Sequence, residues 1–142
     1  TLRRIVGVLG RHGVAADRIQ PLARLSKIDF LTEITRTDIA LDAFPYTGGA
    51  TTCDCLWMGV PVVTLAGPFG FARSAAAALL PAGLEQLVAH TPEDYVRIAT
   101  ELAQSGTGTL RSTLRERMAA SPLMDEKGFV RSLHAAYEHM LD

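Results

Sequence analysis

The chain has 142 residues, 48% of them hydrophobic and 20% charged, which suits one globular domain with enough apolar material for a core. Its 14 Lys+Arg against 15 Asp+Glu leave a formal charge of −1. That balance argues against a nucleic-acid binder, which carries a basic stripe, and against a charged disordered tail. No apolar run approaches the roughly 18 residues of a membrane-spanning helix, so no membrane partner is expected.

The sequence starts at Thr1 inside a helical pattern and has no signal-peptide signature, so a piece of a longer, cytoplasmic protein is expected. Leu2, Ile5, Val6 and Leu9 repeat at helical spacing, and Gly10 and Gly13 supply stop signals. A short strand is expected around Ile19, within Asp17 to Leu22. Ser26 with Asp29 three residues on predicts a capped helix from Lys27 to about Thr35. Asp38 to Asp42 is an apolar run between acids and reads as a buried strand whose last residue, Asp42, faces a ligand crevice. Phe44 to Gly49 is a turn-rich loop. Thr51 to Met58 reads as a helix capped by Thr51, with Asp54 three residues later and Gly59 as its stop. Val60 to Leu65 is β-branched and apolar, a strand buried on both faces.

Ala66 to Phe71 is a Gly/Pro loop, followed by a helix over Arg73 to Leu80 and a third short strand within Leu84 to Ala89. Thr91-Pro92-Glu93-Asp94 is a strong helix start, and that helix runs to about Ala103. After a link over Ser105 to Thr109, helices are expected over Leu110 to Ala120 and Glu126 to Leu141. The last carries a Phe129/Leu133/Tyr137/Met140 stripe. Short apolar strands alternating with helices indicate an α/β fold, a Rossmann-like parallel sheet flanked by helices, in one domain over 1–142. Ligands in such sheets bind outside the carboxyl ends of the strands.

Cys53 and Cys55 have neither a second pair nor clustered histidines to complete a zinc site, and read as small helix residues. His12, His90, His134 and His139 are scattered. The chemistry is instead expected in Asp42 to Asp54, D-A-F-P-Y-T-G-G-A-T-T-C-D. Gly48 and Gly49 permit close approach of a ligand to the backbone. The amides of Ala50, Thr51 and Thr52 lie at a helix N-terminus, a ready anion site, and the two threonines add hydroxyls. Asp54 is placed to accept from a sugar hydroxyl. The alternative is a ligand-free strand–turn–helix in which Asp54 only caps Thr51. No Lys or Arg occurs between Thr37 and Ala72, so a phosphate here would be held by backbone dipoles and hydroxyls. The segment is neither a P-loop nor a G-x-G-x-x-G fingerprint, and no catalytic constellation is visible.

At these residues a resemblance becomes specific. Asp38 to Gly67, with its G-G-x-T-T and L-W-M-G-V-P, resembles the C-terminal catalytic lobe of the O-linked N-acetylglucosamine transferase family. The likeness is to bacterial, SPINDLY-like members that carry tetratricopeptide repeats, and it extends over Arg24 to Leu31, Phe71 to Leu80 and Ser121 to Asp125. It implies the donor-binding lobe of a two-lobed, B-type, inverting glycosyltransferase that uses UDP-N-acetylglucosamine as donor substrate, with no metal and no other cofactor. By the family pattern Gly49, Ala50 and Thr51 lie against the diphosphate, with Thr52 beside them. Asp54 falls on the ribose-contacting acid and Lys27 on a nucleotide-adjacent basic position. Ala50 stands where bacterial relatives carry Thr. The resemblance implies an acceptor protein, engaged through N-terminal regions not present here, and an isolated segment without transferase activity. A degenerate lobe serving as a binding or scaffold module is the alternative.

Overall fold

The β-branched run after Gly59 forms the middle of a three-stranded parallel sheet. In this computed structural model, which describes residues 2–141, β1 is Ala40–Leu41, β2 is Val62–Leu65 and β3 is Val88–Ala89, in the order β1-β2-β3. The register pairs Ala40 with Val62 and Leu41 with Val63, then Thr64 with Val88 and Leu65 with Ala89. Parallel neighbours need crossovers. Helix α3 (Ala50–Trp57) lies between β1 and β2 in the chain, and α4 (Ser74–Leu79) between β2 and β3. The α/β class and the Rossmann-like parallel sheet are as the sequence implies.

The chain divides into two compact units, one ending at Phe30 and the other beginning at Leu31, so the division falls inside α2 (Lys27–Thr35). In the first unit, α1 (Leu2–Arg11) closes at Gly13, whose φ of +83° lets Val14 N–H reach back to Leu9 C=O at 3.0 Å. The strand expected around Ile19 is absent. Ala16–Arg18 is instead a 3₁₀ turn, Ile19 N–H is used on Ala16 C=O at 3.2 Å, and Pro21 has no N–H to offer a ladder. Ser26 caps α2 as expected: its Oγ accepts from Asp29 N–H at 3.2 Å and donates to the Asp29 carboxylate at 2.7 Å.

In the second unit the core gathers between the sheet and its helices. Leu56, Val60, Val63, Leu79, Leu84 and Leu114 are fully buried. Each contributes about 1.5–3 kcal/mol of transfer free energy. β2 is buried as expected, with Val62, Val63 and Thr64 at 2% exposure or less. β1 is not: Leu41 is exposed, whereas β3, the other edge strand, is buried. Helix α5 (Pro92–Ser105) packs against β2 and β3, and its expected Thr91 cap is present, accepting from Asp94 N–H at 3.1 Å. Helix α6 (Gly108–Ala119) packs on α3 through Leu114 and Met118. It also supplies three arginine ties, one of them from Arg117 to Gly83 C=O at 3.0 Å. The Arg111 guanidinium donates to the carbonyls of Thr35, Thr37 and Asp38, and Arg115 donates to Trp57 C=O at 2.9 Å while lying 5.1 Å over the Trp57 ring. Helix α7 (Glu126–His139) buries no residue completely, and Phe129, Tyr137 and Met140 are exposed.

Candidate functional site

The loop between β1 and α3 is built around one carboxylate. Asp42 follows β1, and its N–H continues the sheet by donating to Val63 C=O at 3.0 Å. Its Oδ1 accepts from Gly48 N–H at 2.9 Å and its Oδ2 from the Thr64 hydroxyl at 2.7 Å. The Asp42 main-chain carbonyl accepts from the Tyr95 hydroxyl of α5 at 2.9 Å. Three elements, β1, β2 and α5, therefore fix the start of the loop.

Gly48 is required where it stands. A Cβ there would lie 2.7 Å from Thr52 Oγ1 and 3.2 Å from Asp42 Oδ1. Thr47 secures the other side of the loop. Its N–H and hydroxyl both donate to Phe71 C=O, at 3.2 and 3.1 Å, and its Oγ1 accepts from Ala75 N–H at 3.4 Å. Near these bonds Tyr46, Phe71 and Phe69 form a ladder of nearly parallel rings, with centroids 5.8 and 5.5 Å apart. The Phe44–Pro45 peptide is cis.

Helix α3 then begins at Ala50 with Gly49 as its N-cap residue. Its first backbone bond runs from Cys53 N–H to Gly49 C=O at 3.2 Å. The amides of Ala50, Thr51 and Thr52 precede that bond and receive no carbonyl from within the helix. They carry the positive end of the helix dipole. Gly49, Ala50 and Thr51 are exposed, so this amide turn opens to the surface.

The structure thus brings Gly48, Gly49, Ala50, Thr51, Thr52 and Asp54 together on one loop and two helical turns. It also changes three of the expected roles. Thr51 is not the N-cap, because the helix starts one residue earlier and no side chain caps it. The Thr52 side chain is 2% exposed and packs beneath Gly48. Gly48 N–H is already committed to Asp42. Lys27 belongs to the other unit, where it is exposed with Nζ 5.7 Å from the Phe30 ring centroid.

Sequence reasoning missed Thr64 and Tyr95. The available signal was a lone hydroxyl in the otherwise apolar Val62-Val63-Thr64-Leu65, since a buried polar group needs a partner. Tyr95 reads as one more member of an amphipathic stripe.

Electrostatics around α3 are acidic. The Cys53 and Cys55 thiols are both pushed above their ordinary value, by burial first and then by the Asp54 carboxylate. They are therefore thiols rather than nucleophilic thiolates near neutral pH. Among the described residues, no group of three His, Cys, Asp or Glu could hold a metal ion. No helix among them is long and apolar enough to cross a membrane.

Comparison with known proteins places this geometry. The model of glycosyl transferase family 41 matches residues 4–133. The chain is 41% identical over 134 residues to a barley (Hordeum vulgare) protein described as a probable UDP-N-acetylglucosamine–peptide N-acetylglucosaminyltransferase SPINDLY, covering 93% of this chain and 14% of that one. It is 38% identical over 142 residues to the protein of the same description from Petunia hybrida, covering 97% and 15%. A solved structure of an O-GlcNAc transferase mutant from Thermobaculum terrenum superposes with a TM-score of 0.88 at 36% identity, covering 97% of this chain and 27% of that one. The chain therefore spans about a seventh of the curated relatives and about a quarter of the solved one. Its sheet and flanking helices match the C-terminal lobe of that B-type transferase fold, and the chain belongs to glycosyl transferase family 41.

Proposed function

We propose that this chain supplies the donor-binding side of a protein O-glycosyltransferase site. The donor is a UDP-sugar, UDP-N-acetylglucosamine by the descriptions of the relatives, and the acceptor is a Ser or Thr hydroxyl of a protein. The observation that carries this reading is the surface turn formed by the Ala50 and Thr51 amides, with the Thr52 amide beneath them, at the carboxyl edge of a parallel sheet. A diphosphate there is bound by oriented dipoles and the Thr51 hydroxyl rather than by a basic patch. Asp54 takes a ribose hydroxyl. No metal is assigned to the reaction, since dipoles and hydroxyls neutralise the leaving diphosphate. The acceptor protein is engaged by parts of the longer relatives that have no counterpart in this chain.

Calorimetric titration with UDP tests the reading. Saturable binding in roughly the millimolar range or tighter is expected, unchanged when magnesium is replaced by EDTA. Binding that needs magnesium removes the metal-free version. No binding in either buffer leaves the lobe as a scaffold.

A further inference from the structure

We propose that Asp42 is the positioning residue of the diphosphate loop. The proposal rests on the donor-site reading above. A carboxylate close to an anion site is a liability unless its lone pairs are used, and both Asp42 oxygens are used. Oδ1 holds Gly48 N–H at 2.9 Å and Oδ2 holds the hydroxyl of fully buried Thr64 at 2.7 Å. Together the two bonds tie the loop to β2, the middle strand of the sheet.

One consequence is a division of the amides. Asp42 takes Gly48 N–H for the protein, and the next exposed donors along the chain are those of the α3 first turn. A second consequence is steric. With Gly48 pinned to Asp42, the absent Cβ is what lets Thr52 Oγ1 fit beneath the loop. Tyr95 adds a third point by holding the Asp42 main-chain carbonyl, which anchors to α5 the backbone that carries the carboxylate. Asp42 touches no ligand in this scheme. It sets the height and direction of the amide turn, as a supporting residue does for a preorganised site.

The test uses this chain with Asp42→Ala and Asp42→Asn, read by amide hydrogen exchange and by UDP titration. In Asp42→Ala the hydrogen-bonded amides of the loop, those of Thr47, Gly48 and Cys53, are expected to exchange roughly tenfold faster than any change in global stability accounts for. Amides of Val62–Leu65 follow global stability alone, and UDP affinity falls about tenfold. Asp42→Asn keeps an acceptor for Gly48, and its amide can donate to the Thr64 oxygen. It is expected to bring both readouts back to within about threefold of the parent. The proposal is overturned if the loop amides move only with the rest of the protein. It is also overturned if Asn is no better than Ala, or if the loop loosens while UDP affinity stays the same. Should the parent bind no UDP, the donor-site reading falls and Asp42 loses its ligand role with it. The exchange data still decide separately whether Asp42 sets the loop.

Discussion

At the scale of single residues, Tyr95 shows how a packing position acquires a polar task. Its ring lies edge-on to Phe44, with centroids 6.0 Å apart, while its hydroxyl donates to Asp42 C=O at 2.9 Å. Burial first, and the Asp42 carboxylate second, raise its phenol above the ordinary value of 10.0. The folded chain therefore keeps this proton at a pH where the unfolded chain releases it. The resulting stabilisation is complete below the unfolded value and is lost as the pH rises through the folded one. Tyr95→Phe is expected to cost about 1 kcal/mol near neutral pH and to make the alkaline fall in stability shallower. Denaturant unfolding from about pH 7 to about pH 11 measures both. The two thiols titrate in the same direction in parent and mutant, so the difference isolates the phenol. A mutant as stable as the parent with an equally steep alkaline fall contradicts the assigned bond. None of this was legible in the sequence, because Tyr95 meets Asp42 across 53 positions and spacing within a helix carries no information about that partner.

Elements were more legible where a local rule decides them. Ser26 and Thr91 cap their helices as read, since each cap needs only a hydroxyl and an amide three residues on. Gly59 ends α3 as read: with φ at +76° it places its own N–H on Leu56 C=O at 3.1 Å and Val60 N–H on Cys55 C=O at 2.8 Å. Gly59→Ala is expected to destabilise by about 1–2 kcal/mol, from the left-handed backbone and from a Cβ only 3.2 Å from Arg111 C=O. Gly7→Ala, in the open middle of α1, is expected to do the reverse by about 0.5–1 kcal/mol of helix propensity. Thermal melts and far-ultraviolet dichroism compare the two, and a neutral Gly59→Ala would contradict the assigned stop. Local rules failed where a distant residue competes. Thr51 has the chemistry of a cap, but Asp42 reaches across from β1 to organise Gly48, and the helix begins at Ala50 without a side-chain cap. Ile19 has strand chemistry, but its N–H is spent on Ala16 C=O and Pro21 offers no donor to a ladder.

At the scale of the whole molecule, the parallel sheet was readable from apolar runs alternating with helices, whereas its order β1-β2-β3 was not, because that pattern allows several orders. The division at Phe30 was not readable, because α2 runs through it without a break in pattern. The near-neutral charge fits the site: an anion held by a helix dipole and hydroxyls needs no basic field around it. The central claim is that the start of α3 receives the diphosphate of a nucleotide. Amide NMR shifts during titration with UDP test it most directly. The account predicts that the largest shifts fall on Gly49, Ala50, Thr51 and Thr52, with Asp54 following and the α7 amides unmoved. Saturable shifts centred elsewhere, with Gly49 to Thr52 unmoved, would contradict it.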